Sequence, residues 1–411
     1  MRFQTVVALI AGLIFVAAAI WVVPPRATEE PFLMVPLTDP VLLEPLFYDL
    51  KLAPSGATVA LAGSLGYEGR VLVFSFDGEL EETFAKDIAV NYPQCCTNPP
   101  LVLSRDGGLL VGGSQEMVMW SPTVPAINIS QQALNGRTPV ALAMDDAGRT
   151  LAAVSSDRKL NVFDLTEGRR LWSVPLGQGW WADVDVTPQG RIALNSGSGL
   201  WVFDSASPEP LASWQLEVGY VLPAVAISPD GTVVGATEGA YQEGWILYMT
   251  VGEKGPLWTF PLGNGGSPLL AISPEGGLLV IEQSEGLILA LGSDGAPLWR
   301  VELGERVRDA EFLEDGGMLI ALEESVIVVR DGRTVARLQV EGRPLAVSSN
   351  GRTVALVHSP NGSYRSAMYL RLYTVHREDV ELAGGFAISQ APMSLNLPTG
   401  QFKRLLLHLG T

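Results

Sequence analysis

Apolar residues alternate with small or charged ones in short segments that run into a glycine-bearing turn, and this unit returns eight times along the chain. The turns end at Gly56, Gly107, Gly148, Gly190, Gly231, Gly276, Gly316 and Gly351, with spacings of 51, 41, 42, 41, 45, 40 and 35 residues. The clearest is Ser228-Pro229-Asp230-Gly231. Four residues before each glycine stand Leu52, Leu103, Met144, Val186, Ile227, Ile272, Phe312 and Val347; six before stand Leu50, Leu101, Leu142, Val184, Val225, Leu270, Ala310 and Leu345. All are apolar. Side chains two apart share one face of a strand, so each segment is predicted as a strand with one large apolar face. The alternate positions are mostly small or charged, including Asp49 with Lys51, Asp183 with Asp185, and Asp309 with Glu311. Such a strand suits the innermost position of a blade bordering a narrow channel.

Further apolar runs follow each turn, such as residues 150–154, then 160–163, then a last run that often carries tryptophan. Three hairpins per unit make a four-stranded antiparallel blade. A period of about 40 residues with Gly-punctuated turns is the mark of a propeller. The predicted fold is all-β, an eight-bladed β-propeller over residues 46–392, with seven blades as the alternative.

The motifs carry a resemblance. KLNVFD at 159–164 and LWVFD at 200–204 resemble the third strand of WD40 repeats, with Phe-Asp in place of Trp-Asp; the Gly-His pair of that family is absent. The Leu-Trp segments at Leu171-Trp172, Leu257-Trp258 and Leu298-Trp299, and more loosely Trp214, resemble the outer strand of the PQQ-like (quinoprotein-like) propellers. That resemblance implies an indole docked on the neighbouring blade. It covers roughly residues 44 to 380 and is a likeness of fold, which by itself assigns no function.

Outside the repeats, residues 5–23 form a run of 19 without a charge, preceded by Arg2 and followed by Pro24-Pro25-Arg26. About 20 apolar residues cross the hydrocarbon of a bilayer, whereas the apolar core of a cleavable signal spans ~7–15. Residues 1–26 are therefore read as a single-pass transmembrane signal anchor, with a cleaved signal as the alternative. Both place the propeller on the extracytoplasmic side. Residues 27–45 read as a linker, although 32–37 is also able to pair into the last blade and close the ring. The competing closing segment is a C-terminal hairpin within 393–411.

Charge and residue inventory narrow the chemistry. The net charge is −17, from 27 Lys and Arg against 44 Asp and Glu. No basic cluster is present to bind nucleic acid phosphates. The three histidines, His358, His376 and His408, lie near the C-terminal end without a nucleophile motif, and no Walker or zinc spacing occurs. Among site candidates, Asp49, Asp183, Asp185, Asp309 and Glu311 are a possible set of oxygen ligands for calcium; the competing reading is a polar channel lining. No other cofactor is expected. Cys95 and Cys96 sit in the loop at 91–100 that lengthens the first repeat. Resemblance to quinoproteins implies a vicinal disulfide there, and the plain reading is two surface thiols. Trp180-Trp181 precedes an inner strand at a rim loop and is a candidate partner anchor. A complete repeat framework with few catalytic constellations predicts a membrane-anchored, non-enzymatic scaffold that binds other proteins, within a membrane complex. The alternative that the resemblance implies is a PQQ-dependent oxidoreductase.

Overall fold

The computed structural model describes residues 33–36 and 45–374, apart from 53–57, 66–67, 76–79, 87–100, 105–109, 113–116, 122–123, 129–133, 135–136, 138, 178–181, 197, 217–222, 241–242, 264–267, 274, 284–285, 314–316, 340–342, 350–352 and 360–368. Cys95, Cys96, Trp180, Trp181, the apolar run at 5–23 and the segment 393–411 lie outside the described residues. Among those described, no helix is long and apolar enough to cross a membrane.

The described elements are strands, arranged as eight antiparallel sheets of four. Numbered in chain order, sheets 1 to 8 begin with Pro45–Leu52, Leu101–Leu103, Pro139–Met144, Asp183–Val186, Val225–Ile227, Pro268–Ile272, Asp309–Phe312 and Arg343–Ser349. Within sheets 1 to 7 the four strands follow one another in sequence, each hairpin adding its strand beside the last. First strands of successive sheets touch at most joints, and the first strand of sheet 1 also touches that of sheet 8. The succession thus returns to its start, as in a propeller.

Sheet 8 is completed differently. Its order is Arg343–Ser349, Thr353–Ser359, Tyr369–Thr374 and then Leu33–Pro36, so the fourth strand comes from the amino-terminal side. Leu33 pairs with Leu372, Met34 with Arg371, Val35 with Leu370 and Pro36 with Tyr369. A segment within the expected linker therefore supplies a strand to the last sheet, and the ring is latched by pairing distant ends of the chain.

The apolar clusters straddle consecutive sheets. Val184 and Val186 pack with Val154 and Val162 of sheet 3, Val225 and Ile227 with Leu200 and Val202 of sheet 4, and Ile272 with Ile246 and Tyr248 of sheet 5. The positions four and six before the turn glycine thus face the preceding sheet. Inner and middle strands are covered on both sides, which is why Ser325–Arg330 (SVIVVR) is buried over all but its last residue. Fourth strands have a free edge, and Pro297–Glu302 alternates exposed and half-buried side chains instead. Proline at 208, 210, 261 and 297 and arginine at 169, 300 and 333 lie on these edges, where they discourage pairing with other chains.

Because each sheet alternates strand direction, the turns between strands one and two and between three and four lie on one side of the ring. This is the turn face. Turns between strands two and three, together with the links from one sheet to the next, lie on the opposite side, the connector face.

Candidate functional site

The inner strands bring together the carboxylates singled out in the sequence and the backbone of the following sheet. Asp183 and Asp185, two apart on one face, point at Val225–Ile227 of sheet 5. The Asp183 Oδ2 accepts the Val225 N–H at 2.9 Å and the Asp185 Oδ2 accepts the Ile227 N–H at 3.0 Å. Their Oδ1 atoms accept the N–H groups of Val184 at 3.0 Å and Val186 at 2.8 Å. Asp309 of sheet 7 repeats the arrangement, with Oδ2 accepting the Val347 N–H of sheet 8 at 2.8 Å and Oδ1 that of Ala310 at 2.9 Å. The inner edge of a blade has backbone donors that no fifth strand satisfies, and a buried unpaired N–H is costly. These acids satisfy them.

The same geometry perturbs their titration. Burial of the Asp183 carboxyl between two inner strands pushes its pKa up to about 7; the Val225 N–H works against that rise and the neighbouring Asp185 adds to it. Asp185 is raised too, by burial first, with the N–H groups of Ile227 and Val186 opposing and Asp146 reinforcing. Among the described residues, no group of three or more His, Cys, Asp or Glu side chains is placed to hold a metal ion. Asp49 and Lys51 lie on the first strand of sheet 1, and Glu311 lies beside Asp309 on that of sheet 7.

On the turn face, side chains from one sheet hold backbone carbonyls of the next. Trp172 Nε1 donates to the Ser205 carbonyl at 2.8 Å, Trp214 Nε1 to that of Glu253 at 3.1 Å, and Trp258 Nε1 to that of Ser293 at 2.9 Å. All three acceptors sit in, or just after, the turn between strands three and four of the next sheet. The indole docking expected from the Leu-Trp strands is therefore present at Trp172 and Trp258, and at the more loosely matching Trp214, while Trp299 lies against Gly332 in the corresponding turn of sheet 7. Arginine directly after a turn glycine does the same nearer the axis: Arg149 donates to the Pro188 carbonyl at 3.0 Å and Arg191 to that of Gly231 at 2.8 Å. Gly231 has φ +71°, and a Cβ there would stand 2.4 Å from the Arg191 Cδ. Tyr248 adds a donation to the Gly276 carbonyl at 2.5 Å. Sequence reasoning missed these arginines, although the recurrence of Gly-Arg at 148–149 and 190–191 was there to find.

The connector face is built otherwise. Buried Asn195 donates to the carbonyls of Ala224 at 3.1 Å and Thr237 at 2.9 Å, and Thr237 Oγ1 accepts the Ala224 N–H at 2.8 Å. Outward of this seam lies Trp245, near the start of the third strand of sheet 5 (Glu243–Thr250) and 41% exposed. The sequence does not single it out, because no local pattern separates an exposed third-strand indole from one that fills space between sheets. Trp201, on the equivalent strand of sheet 4 (Gly199–Asp204), does so, packed against the sheet 3 side.

Interlocked four-stranded sheets with indoles docked on the next sheet define a β-propeller repeat protein. Residues 242–363, from sheet 5 into sheet 8, match the family model described as outer membrane protein assembly factor BamB. Among solved structures the chain is similar to the C-terminal WD40 domain of Sif2, with a TM-score of 0.58 at 12% identity over 81% of this chain and 97% of that one. It is also similar to the β-propeller domain of Cps50 (Swd1) from Myceliophteria thermophila, with a TM-score of 0.50 at 11% identity over 83% of this chain and 99% of that one. At such identities the likeness shows the fold alone. A search of the curated proteins found no match.

Proposed function

We propose that this chain is an eight-bladed, membrane-anchored propeller on the extracytoplasmic side that serves as a non-enzymatic scaffold, receiving another protein on its connector face within a membrane complex. The carrying observation is Trp245, an indole left 41% exposed at the connector-face end of its strand, whereas the indoles of Trp172, Trp214 and Trp258 are held by the backbone of the next sheet; Trp is among the residue types enriched at interaction hot spots. The family match, whose description is of an assembly factor, and the uncharged run at 5–23 support a role in a membrane complex.

Co-purification of the full chain from native membranes tests this. The unaltered chain is expected to bring a protein partner with it. Trp245→Ala is expected to lower recovery of that partner at least ~10-fold, the scale of a lost hot spot, with melting unchanged. Glu275→Ala, an exposed turn-face control, should leave recovery intact. Isolation of the chain alone, or equal recovery with Trp245→Ala, counts against the proposal.

A further inference from the structure

The strand that closes the ring also bears on how the propeller stands on a membrane. Leu33–Pro36 runs antiparallel to Tyr369–Thr374, with Leu33 toward the Thr374 end and Pro36 opposite Tyr369. Thr374 ends a third strand, so it lies at the turn face, and Leu33 enters from that face. Leu33–Pro36 runs toward the connector face, the side on which the first strand of sheet 1 (Pro45–Leu52) begins. Only residues 24–32 separate Leu33 from the apolar run that ends at Val23.

From Val23 to Leu33 the chain makes ten residue steps, which reach at most ~33–36 Å when fully extended. The other strands of sheet 8 have six or seven residues and span about 17–20 Å, and the flanking turns bring the height of the ring to well over half of the tether's reach. With the turn face down, the entry point lies at the lipid surface and the tether keeps its slack. With the connector face down, the entry point stands a full ring height above the lipid, and the tether has to be extended over most of its length. The second arrangement costs the tether much of its conformational freedom.

We infer that ring closure by the amino-terminal strand orients the propeller, with the turn face toward the bilayer and the connector face, including Trp245, directed away from it. This inference rests on the membrane-anchored reading of residues 5–23. It commits the partner of the connector face to approach from the aqueous side rather than from within the lipid plane.

Distance-dependent energy transfer to an acceptor dye on lipid headgroups tests it. The full chain is reconstituted in phosphatidylcholine vesicles, whose zwitterionic surface neither attracts nor repels a chain of net charge −17. Single labels are placed, in a Cys95→Ser/Cys96→Ser background, through Gln189→Cys or Glu275→Cys on the turn face and Ser156→Cys or Arg306→Cys on the connector face, all exposed positions. Should the cysteine-free background fail to fold, a genetically encoded fluorescent residue at the same four sites replaces the labels. Transfer is expected to be several-fold greater from both turn-face sites. If the protein floats with the vesicles but the connector-face sites transfer equally or more, the orientation is overturned and the anchor stands. If it does not float, the anchored reading falls and the orientation with it.

Discussion

Asp183 shows how one carboxyl group serves two strands, accepting the N–H of Val184 in its own strand and of Val225 in the next. Its raised pKa, about 7 against an ordinary 3.8, makes folding sensitive to pH. Between these values the folded protein holds a proton that the unfolded chain has released, so this group's contribution is fully present below about 4 and is lost as pH rises toward about 7. Asp183→Asn lacks the titration and turns an amide NH2 toward one of the two backbone donors, at a cost of ~1–3 kcal/mol. Urea titrations from pH 4 to 8 should show the stability difference between wild type and variant shrinking with rising pH; a constant difference would refute the assignment. The polar positions of the inner strand were legible in the sequence because a strand alternates its faces. What those carboxylates touch was not legible, because their partner amides lie 42 residues away and an amide N–H leaves no trace in residue type. Asn195 was hidden for the same reason, since its acceptors at 224 and 237 are backbone carbonyls.

A fourth strand carrying tryptophan is a more legible element, because its apolar side chain and its Leu-Trp pair are local to the strand. Trp258 stacks on Tyr248 of its own sheet with ring centroids 4.6 Å apart, donates to the Ser293 carbonyl of the next, and covers Gly295. Gly295 has φ +80°, and a Cβ there would stand 2.8 Å from the indole Cγ. Gly295→Ala is accordingly expected to cost ~1–3 kcal/mol through a strained backbone and a displaced ring. Trp258→Phe removes the N–H donor and should cost ~0.5–1.5 kcal/mol. Combined, the two should cost less than their sum, since a smaller ring relieves the contact with the new methyl. A double-mutant cycle by chemical denaturation checks this, and strict additivity would mean that the turn and the indole do not meet in solution. The matching glycine is the part that sequence reading leaves indistinct, because glycine recurs in many of the described turns and only the packed sheets reveal which of them supports an indole.

For the whole molecule the decisive event is the meeting of Leu33–Pro36 with Tyr369–Thr374. An all-β ring was legible from the eight-fold recurrence, but its closing segment was not, since the segments at 32–37 and near the C-terminus are both short, apolar and close to proline. The choice depends on which one fits a free edge more than 300 residues away, and no local pattern encodes that. If the amino-terminal strand is the latch, two truncations should separate sharply. Removing residues 1–32 keeps all four strands of sheet 8, and melting should stay within a degree or so of the full chain. Removing residues 1–36 leaves the backbone groups of Tyr369–Thr374 as an open edge. Amide exchange in that strand should then accelerate by at least ~10-fold, the equivalent of about 1.4 kcal/mol. Melting should fall by a few degrees, and the exposed edge should promote self-association that rises with protein concentration. Because both truncations lack the apolar run at 5–23, the contrast isolates the latch from any effect of the anchor. Indistinguishable melting and exchange would mean that the ring is closed by another segment.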